Sequence, residues 1–178
     1  MKFDLTPNRR AMLDTIAFAE GTGDRYDLLF GYGTFDVNGP HPNVAVPFGD
    51  TTSTAAGRYQ FLYSTWQDTI PKIPQPDLMV PQNQDQAALQ RIKDRNALDD
   101  VDNGNIEVAI NKLAVEWASF PGSPYGQPTK SMADMVNFFY ARQTVHDVKK
   151  NVLNAGVAVM VIVLVAAVIW GGLQLAKG

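Results

Sequence analysis

An α+β fold with two lobes is what this 178-residue sequence predicts, and three observations carry the prediction. A helical pattern opens the chain and closes on Glu20-Gly21. A stretch rich in glycine, proline and aromatics follows over residues 26–57. Helical periodicity then returns from Arg58 onward. Helix, short strands, then several helices is the order of segregated elements, and it leaves a cleft between a small sheet lobe and a helical lobe. With 46% hydrophobic and 10% aromatic residues the chain can bury a core of ordinary size.

In order along the chain, Thr6-Pro7 reads as an N-cap followed by proline in the first helical turn, which predicts a helix from about Pro7 to Glu20. Thr34 to Val37 and Asn43 to Val46 are the β-prone pieces of a small irregular sheet. Pro71, Pro74 and Pro76 interrupt the helical pattern that starts at Arg58, and it resumes at Pro81. Ile106, Ala109, Ile110, Leu113, Ala114 and Trp117 recur at helical spacing and define an amphipathic helix. A last helix is expected over Ser131 to about His146. Trp66 and Trp117 fall within helical patterns and read as core.

The C-terminal end differs from the rest. No charged residue occurs between Asn154 and Leu173, and twenty helical residues span about 30 Å, the thickness of a bilayer's hydrocarbon. The expected organisation is therefore a domain over 1–142, a juxtamembrane linker over 143–153 and a single transmembrane helix over 154–175, with Trp170 near one interface. Lys149 and Lys150 before the run, against Lys177 after it, predict a cytoplasm-facing domain. The N-terminal residues lack the apolar core of a signal peptide.

A net charge of -3 offers no electrostatic footprint for nucleic acid, which is excluded as an expected partner. The absence of cysteine removes thiolate ligands and thiol nucleophiles. His41 and His146 are far apart and belong to no paired-ligand motif, so neither a metal nor another cofactor is expected.

One carboxylate stands out. Leu13, Ile16, Ala17 and Glu20 lie at i, i+3, i+4 and i+7, which puts Glu20 on the apolar face of the first helix. Gly21 supplies a glycine C-cap, so Glu20 also sits at the negative end of the helix dipole. Both surroundings favour the neutral acid and raise its pKa, as proton donation to a glycosidic oxygen requires. The competing reading is a structural acid paired with Arg58 or Arg91, and pattern alone leaves it open.

Four blocks, AMLDTIAFAEGT, STAAGRYQFLYSTWQD, QNQDQAALQRIKDRNAL and EWASFPGSPYGQ, resemble in order and spacing the bacteriophage lambda endolysin family of lytic transglycosylases. The resemblance covers roughly Asn8 to Ala141. It implies a lysozyme-like fold and cleavage of the β-1,4 bond between N-acetylmuramic acid and N-acetylglucosamine, leaving a 1,6-anhydromuramic end. The family's catalytic glutamate matches Glu20; the serine that precedes it in the family is Ala19 here. The resemblance further offers Asp36, Ser53, Tyr59, Gln60, Tyr125 and Gln127 as substrate-binding residues. Asp36 has an equally good structural reading, and Tyr59 has core packing as its rival. Peptidoglycan glycan strands are the expected substrate.

The soluble lambda-type enzymes have no apolar tail, so the tail sets a separate expectation. The lipid bilayer becomes a partner, the location a virion internal membrane or the host inner membrane, and the role local wall opening during genome entry, beside other virion membrane or capsid proteins. The alternatives are an endolysin for host lysis and a wall-binding virion structural protein without activity.

Overall fold

The computed structural model describes residues 2–175, with side chains as far as residue 156 apart from that of residue 32. Helix α1 runs from Pro7 to Glu20, and the Thr6 hydroxyl caps it by accepting from the Arg9 amide at 3.3 Å. It ends at Gly21, whose φ of 72° lets its N–H reach back to the carbonyls of Ala17 and Phe18. Ala11, Met12, Leu13, Ile16 and Ala17 are buried along it, so α1 is the central helix of the domain.

The sheet is smaller than expected and displaced. Strands β1 (Val46–Phe48) and β2 (Thr51–Ser53) pair antiparallel, with Val46 opposite Ser53 and Phe48 opposite Thr51. Thr34 enters only an isolated bridge with Leu28, and Asn43 takes a φ of 49°, which breaks an extended run. β-prone composition there lacked a continuous partner strand, and pairing rather than composition makes a strand. The segment from Arg58 also starts as a turn bridged between Ala56 and Phe61, so helix begins only at α2, Tyr63–Thr69.

Helices α3 (Pro81–Asp94), α4 (Leu98–Asn103) and α5 (Ile106–Leu113) complete the helical lobe. The periodic run stops being helical after Leu113, yet Ala114 and Trp117 remain buried. The core gathers Met12, Ile16, Trp66, Leu89, Ile110, Phe120 and Phe139 around α1.

Helix α6, Met132–Leu175, packs along α1, with Phe138 stacked on Phe18 at 4.3 Å between ring centroids. Its backbone runs unbroken through 143–153, where a linker was expected. At the contact, buried Asp14 receives Arg58 Nη2 at 2.7 Å, Arg142 Nε at 2.6 Å and His146 Nε2 at 2.8 Å. Burial pushes the Asp14 carboxyl up, but the hydrogen bonds from Arg58, His146 and Arg142 outweigh it and hold the group below its ordinary range. The residues expected to form a membrane helix lie, from 157 onward, outside those with described side chains. Among the described residues no helix is long and apolar enough to cross a membrane.

Candidate active site

The C-terminus of α1 opens into a cleft of about 380 Å³ between the two lobes. Phe30, Phe48, Ser53, Ala55, Gln60 and Leu62 line it from the sheet side. Thr65, Arg91, Arg95 and the segment from Val115 to Ala118 line the other side, with Tyr125 and Gln127 from the following loop. Phe30 and Phe48 meet edge to face with centroids 5.1 Å apart.

Glu20 sits on the cleft wall because α1 stops there. The turn after it is pinned by Thr22, whose hydroxyl donates to the Arg58 carbonyl at 2.6 Å. Glu20 keeps part of its surface open to the cleft while protein surrounds the rest. Ser119 Oγ donates to its Oε1 at 2.6 Å, and among the described residues no cation bonds it. Burial therefore dominates and lifts the carboxyl from 4.5 to about 7, with the Ser119 hydroxyl pulling weakly the other way. The alternative of an ion-paired Glu20 does not hold. Arg58 bonds Asp14 and Asp24, and Arg91 bonds Glu116 and Asp68.

Glu116, the other carboxylate in the cleft wall, is in the opposite condition. Arg91 grips it through Nε and Nη2 at 2.6 and 2.9 Å, Arg95 Nε adds 2.8 Å, and only 6% of its side chain is exposed.

The structure brings Glu20, Ser53, Gln60, Tyr125 and Gln127 to one cleft. Gln60 holds a left-handed φ of 48° at the end of a turn and donates Nε2 to the Gly57 carbonyl at 2.9 Å, which leaves its amide oxygen without that duty. Tyr125 donates its hydroxyl to the Val115 carbonyl at 2.9 Å, and its exposed ring forms part of the cleft rim.

Two expected site residues lie elsewhere. Tyr59 is fully buried; its hydroxyl donates to Asp85 at 2.6 Å and accepts from Arg58 at 3.1 Å, so the ring packs in the core and meets no solvent. Asp36 is outside the cleft and caps its own turn, accepting from the backbone and side-chain nitrogens of Asn38, each at 2.9 Å. Ser119 and the Arg91–Glu116–Arg95 group went unassigned by the residue pattern. No periodicity connects positions 20 and 119; only the block EWASFPGSPYGQ pointed to that region.

The histidines are structural in their contacts: His41 is buried with Nε2 2.8 Å from the Phe61 carbonyl, and His146 is on Asp14. Among the described residues no group of side chains is disposed to hold a metal ion.

The Endolysin family model matches residues 10–145. The endolysin of Escherichia phage lambda is 38% identical over 133 residues, 70% of this chain and 84% of that protein. The endolysin of Escherichia phage P2 is 34% identical over 152 residues, 72% of this chain and 88% of that protein. Among solved structures, bacteriophage lambda lysozyme complexed with a chitohexasaccharide superposes with a TM-score of 0.74 at 34% identity, covering 79% of this chain and 96% of that one. A second structure of lysozyme from bacteriophage lambda gives 0.67 at 31% identity, covering 81% and 96%. The fold is thus lysozyme-like. The expected placement in a virion or host inner membrane is overturned. The relatives are endolysins matched through the cleft-bearing domain, and no described helix is suited to crossing a bilayer. An uncharged run of bilayer-spanning length and the lysines around it carried that expectation.

Proposed function

Because this chain belongs to the endolysin family, we propose that it is a lysis enzyme that degrades peptidoglycan, acting as a lytic transglycosylase with Glu20 as its single catalytic acid and base. The glycan in the lambda lysozyme complex supports a sugar strand as the occupant of the corresponding cleft. Host lysis agrees with the relatives' names better than genome entry does.

The observation that carries the reading is the inequality of the two carboxylates in the cleft wall. Hydrolysis at a glycosidic bond ordinarily uses two working carboxyl groups, one as acid and the other as base or nucleophile. Here Glu20 has no cationic partner among the described residues and is raised to about 7, whereas Glu116 is held by two guanidinium groups. One available acid suits a reaction whose nucleophile lies within the substrate. Glu20 gives its proton to the glycosidic oxygen as the C1–O bond breaks and the bonding pair leaves with that oxygen. The C6 hydroxyl of the same muramic residue attacks C1 and returns its proton to the Glu20 carboxylate, closing the anhydro ring. Ser53, Gln60, Tyr125 and Gln127 contact the strand, the amides suiting acetamido groups and the Tyr125 ring a sugar face.

Digestion of purified sacculi by the whole chain, followed by mass analysis of the released muropeptides, tests this. Anhydromuramic ends are expected. Free reducing ends would make the enzyme a hydrolase, and binding without release of fragments would make it a wall-binding protein.

A further inference from the structure

Ser119 reaches Glu20 across 99 positions of sequence, and the backbone on both sides of it is anchored. On its N-terminal side Glu116 is gripped by Arg91 and Arg95, and Trp117 Nε1 donates to the Tyr59 carbonyl at 3.0 Å. On its C-terminal side the Lys130 amide donates to the Ser119 carbonyl at 3.0 Å. The Ser119 hydroxyl then donates to Oε1 of Glu20 at 2.6 Å, while Oε2 has no hydrogen-bond partner among the described residues.

This arrangement does more than satisfy a polar group. An oxygen that accepts a short hydrogen bond is poorly placed to carry the acid's own proton, so in the neutral form the proton belongs on the other oxygen. We infer that Ser119 is a positioning residue: registered by the Arg91–Glu116–Arg95 group, it engages Oε1 so that Oε2 is the oxygen that delivers the proton and takes it back. The inference rests on Glu20 being the acid of the proposed reaction. It adds that the carboxyl's two oxygens have separate duties and that a neighbouring ionic cluster sets the division. A serine that did not engage the carboxyl of Glu20 would leave its titration and turnover nearly unchanged.

The test is carried out on the whole chain with Ser119→Ala, Ser119→Thr, Glu116→Gln and the double variant Ser119→Ala/Glu116→Gln. Soluble glycan strands serve as substrate, and carbon-13 NMR reports the Glu20 carboxyl. Removing the hydroxyl takes away a bond that favours the carboxylate. In Ser119→Ala the carboxyl titration and the alkaline limb of the pH–rate profile therefore move upward together, and kcat falls about tenfold, the effect of one hydrogen bond to a charged group. Ser119→Thr, which keeps the hydroxyl, restores both. Glu116→Gln moves the limb the same way by less and adds under about twofold in the Ser119→Ala background, as expected of a residue acting through Ser119. A Ser119→Ala titration identical to that of the parent would overturn the inference, and fully additive effects of the two substitutions would overturn the part played by the ionic cluster. The NMR arm stands apart from turnover. If the parent chain cuts no glycan, the proposed function fails while the hold of the Ser119 hydroxyl on the Glu20 carboxyl is still decided.

Discussion

Helix α1 carries two enclosed carboxylates six positions apart, Asp14 and Glu20, and they are treated in opposite ways. Asp14 meets Arg58, Arg142 and His146, whose hydrogen bonds overcome the cost of its burial and keep it ionised. Among the described residues Glu20 meets one neutral hydroxyl, so burial wins and the group still holds a titratable proton near neutral pH. The first arrangement ties α6 to α1 and to the turn at Arg58. The second leaves a proton available at a cleft and costs stability where the carboxyl must ionise. Burial is common to both; the partners decide whether a buried acid is a fastener or a reagent.

The sharpest way to break the comparison is Asp14→Asn. It leaves the Arg58 side chain, only 7% exposed, without its buried counter-charge, and a loss of about 3–5 kcal/mol in unfolding free energy at pH 7 is expected by denaturant titration. The Asp14 carboxyl is held below its ordinary 3.8, so its contribution is present above that value and lost as pH falls through the lowered one. A loss under about 1 kcal/mol at pH 7 would mean that the ion cluster is not the fastener described, since even one ordinary hydrogen bond is worth that much.

Glu20→Gln should behave in the opposite sense. Cleavage of glycan strands falls by more than about 10²-fold, the usual cost of a lost general acid, while the fold is kept. Activity within about tenfold of the parent's would remove Glu20 from the reaction. Stability is expected to rise, because the folded chain resists ionising a group whose carboxyl lies at about 7 rather than 4.5. The raised group costs nothing below the unfolded value, where both states are protonated. Its penalty grows as pH rises toward 7 and is complete above it. Thermal unfolding should accordingly show Glu20→Gln more stable than the parent by up to about 3 kcal/mol at pH 8 and equal to it at pH 4. Equal stability at both pH values would mean that Glu20 ionises freely in the folded protein.

The smallest effect sharpens the Asp14 side. His146→Gln removes one of three donors to Asp14 and leaves both guanidinium groups in place, so a loss of about 1 kcal/mol is expected in the same unfolding measurement. A loss as large as that of Asp14→Asn would show that His146, rather than Arg58, holds the cluster together.

Much that concerns a single helix was readable from the chain. Thr6, Pro7 and Gly21 mark the ends of α1 through local hydrogen bonding and a left-handed φ, and the spacing of Leu13, Ile16 and Ala17 puts Glu20 on the enclosed face. The periodicity of Ile106 to Trp117 identified a buried face even though the helix stops at Leu113. Local geometry depends on residues a few positions apart, and these are what a sequence displays. Tyr59 and Gln60 show where that stops. Adjacent in one turn and equally suited by type to a sugar, one points into the core toward Asp85 and the other lines the cleft.

The partners of the buried charges belonged to the tertiary structure alone. The sequence placed Glu20 among apolar neighbours, but Arg58 and Arg91 were each as eligible to neutralise it as to go elsewhere. Packing of the turn at Arg58 against α1 sent Arg58 to Asp14, α3 carried Arg91 to Glu116, and a loop distant in sequence brought Ser119 instead. Hydrophobic spacing is a property of one element, whereas electrostatic pairing requires two elements to meet, and which charges meet is settled only when the helices pack.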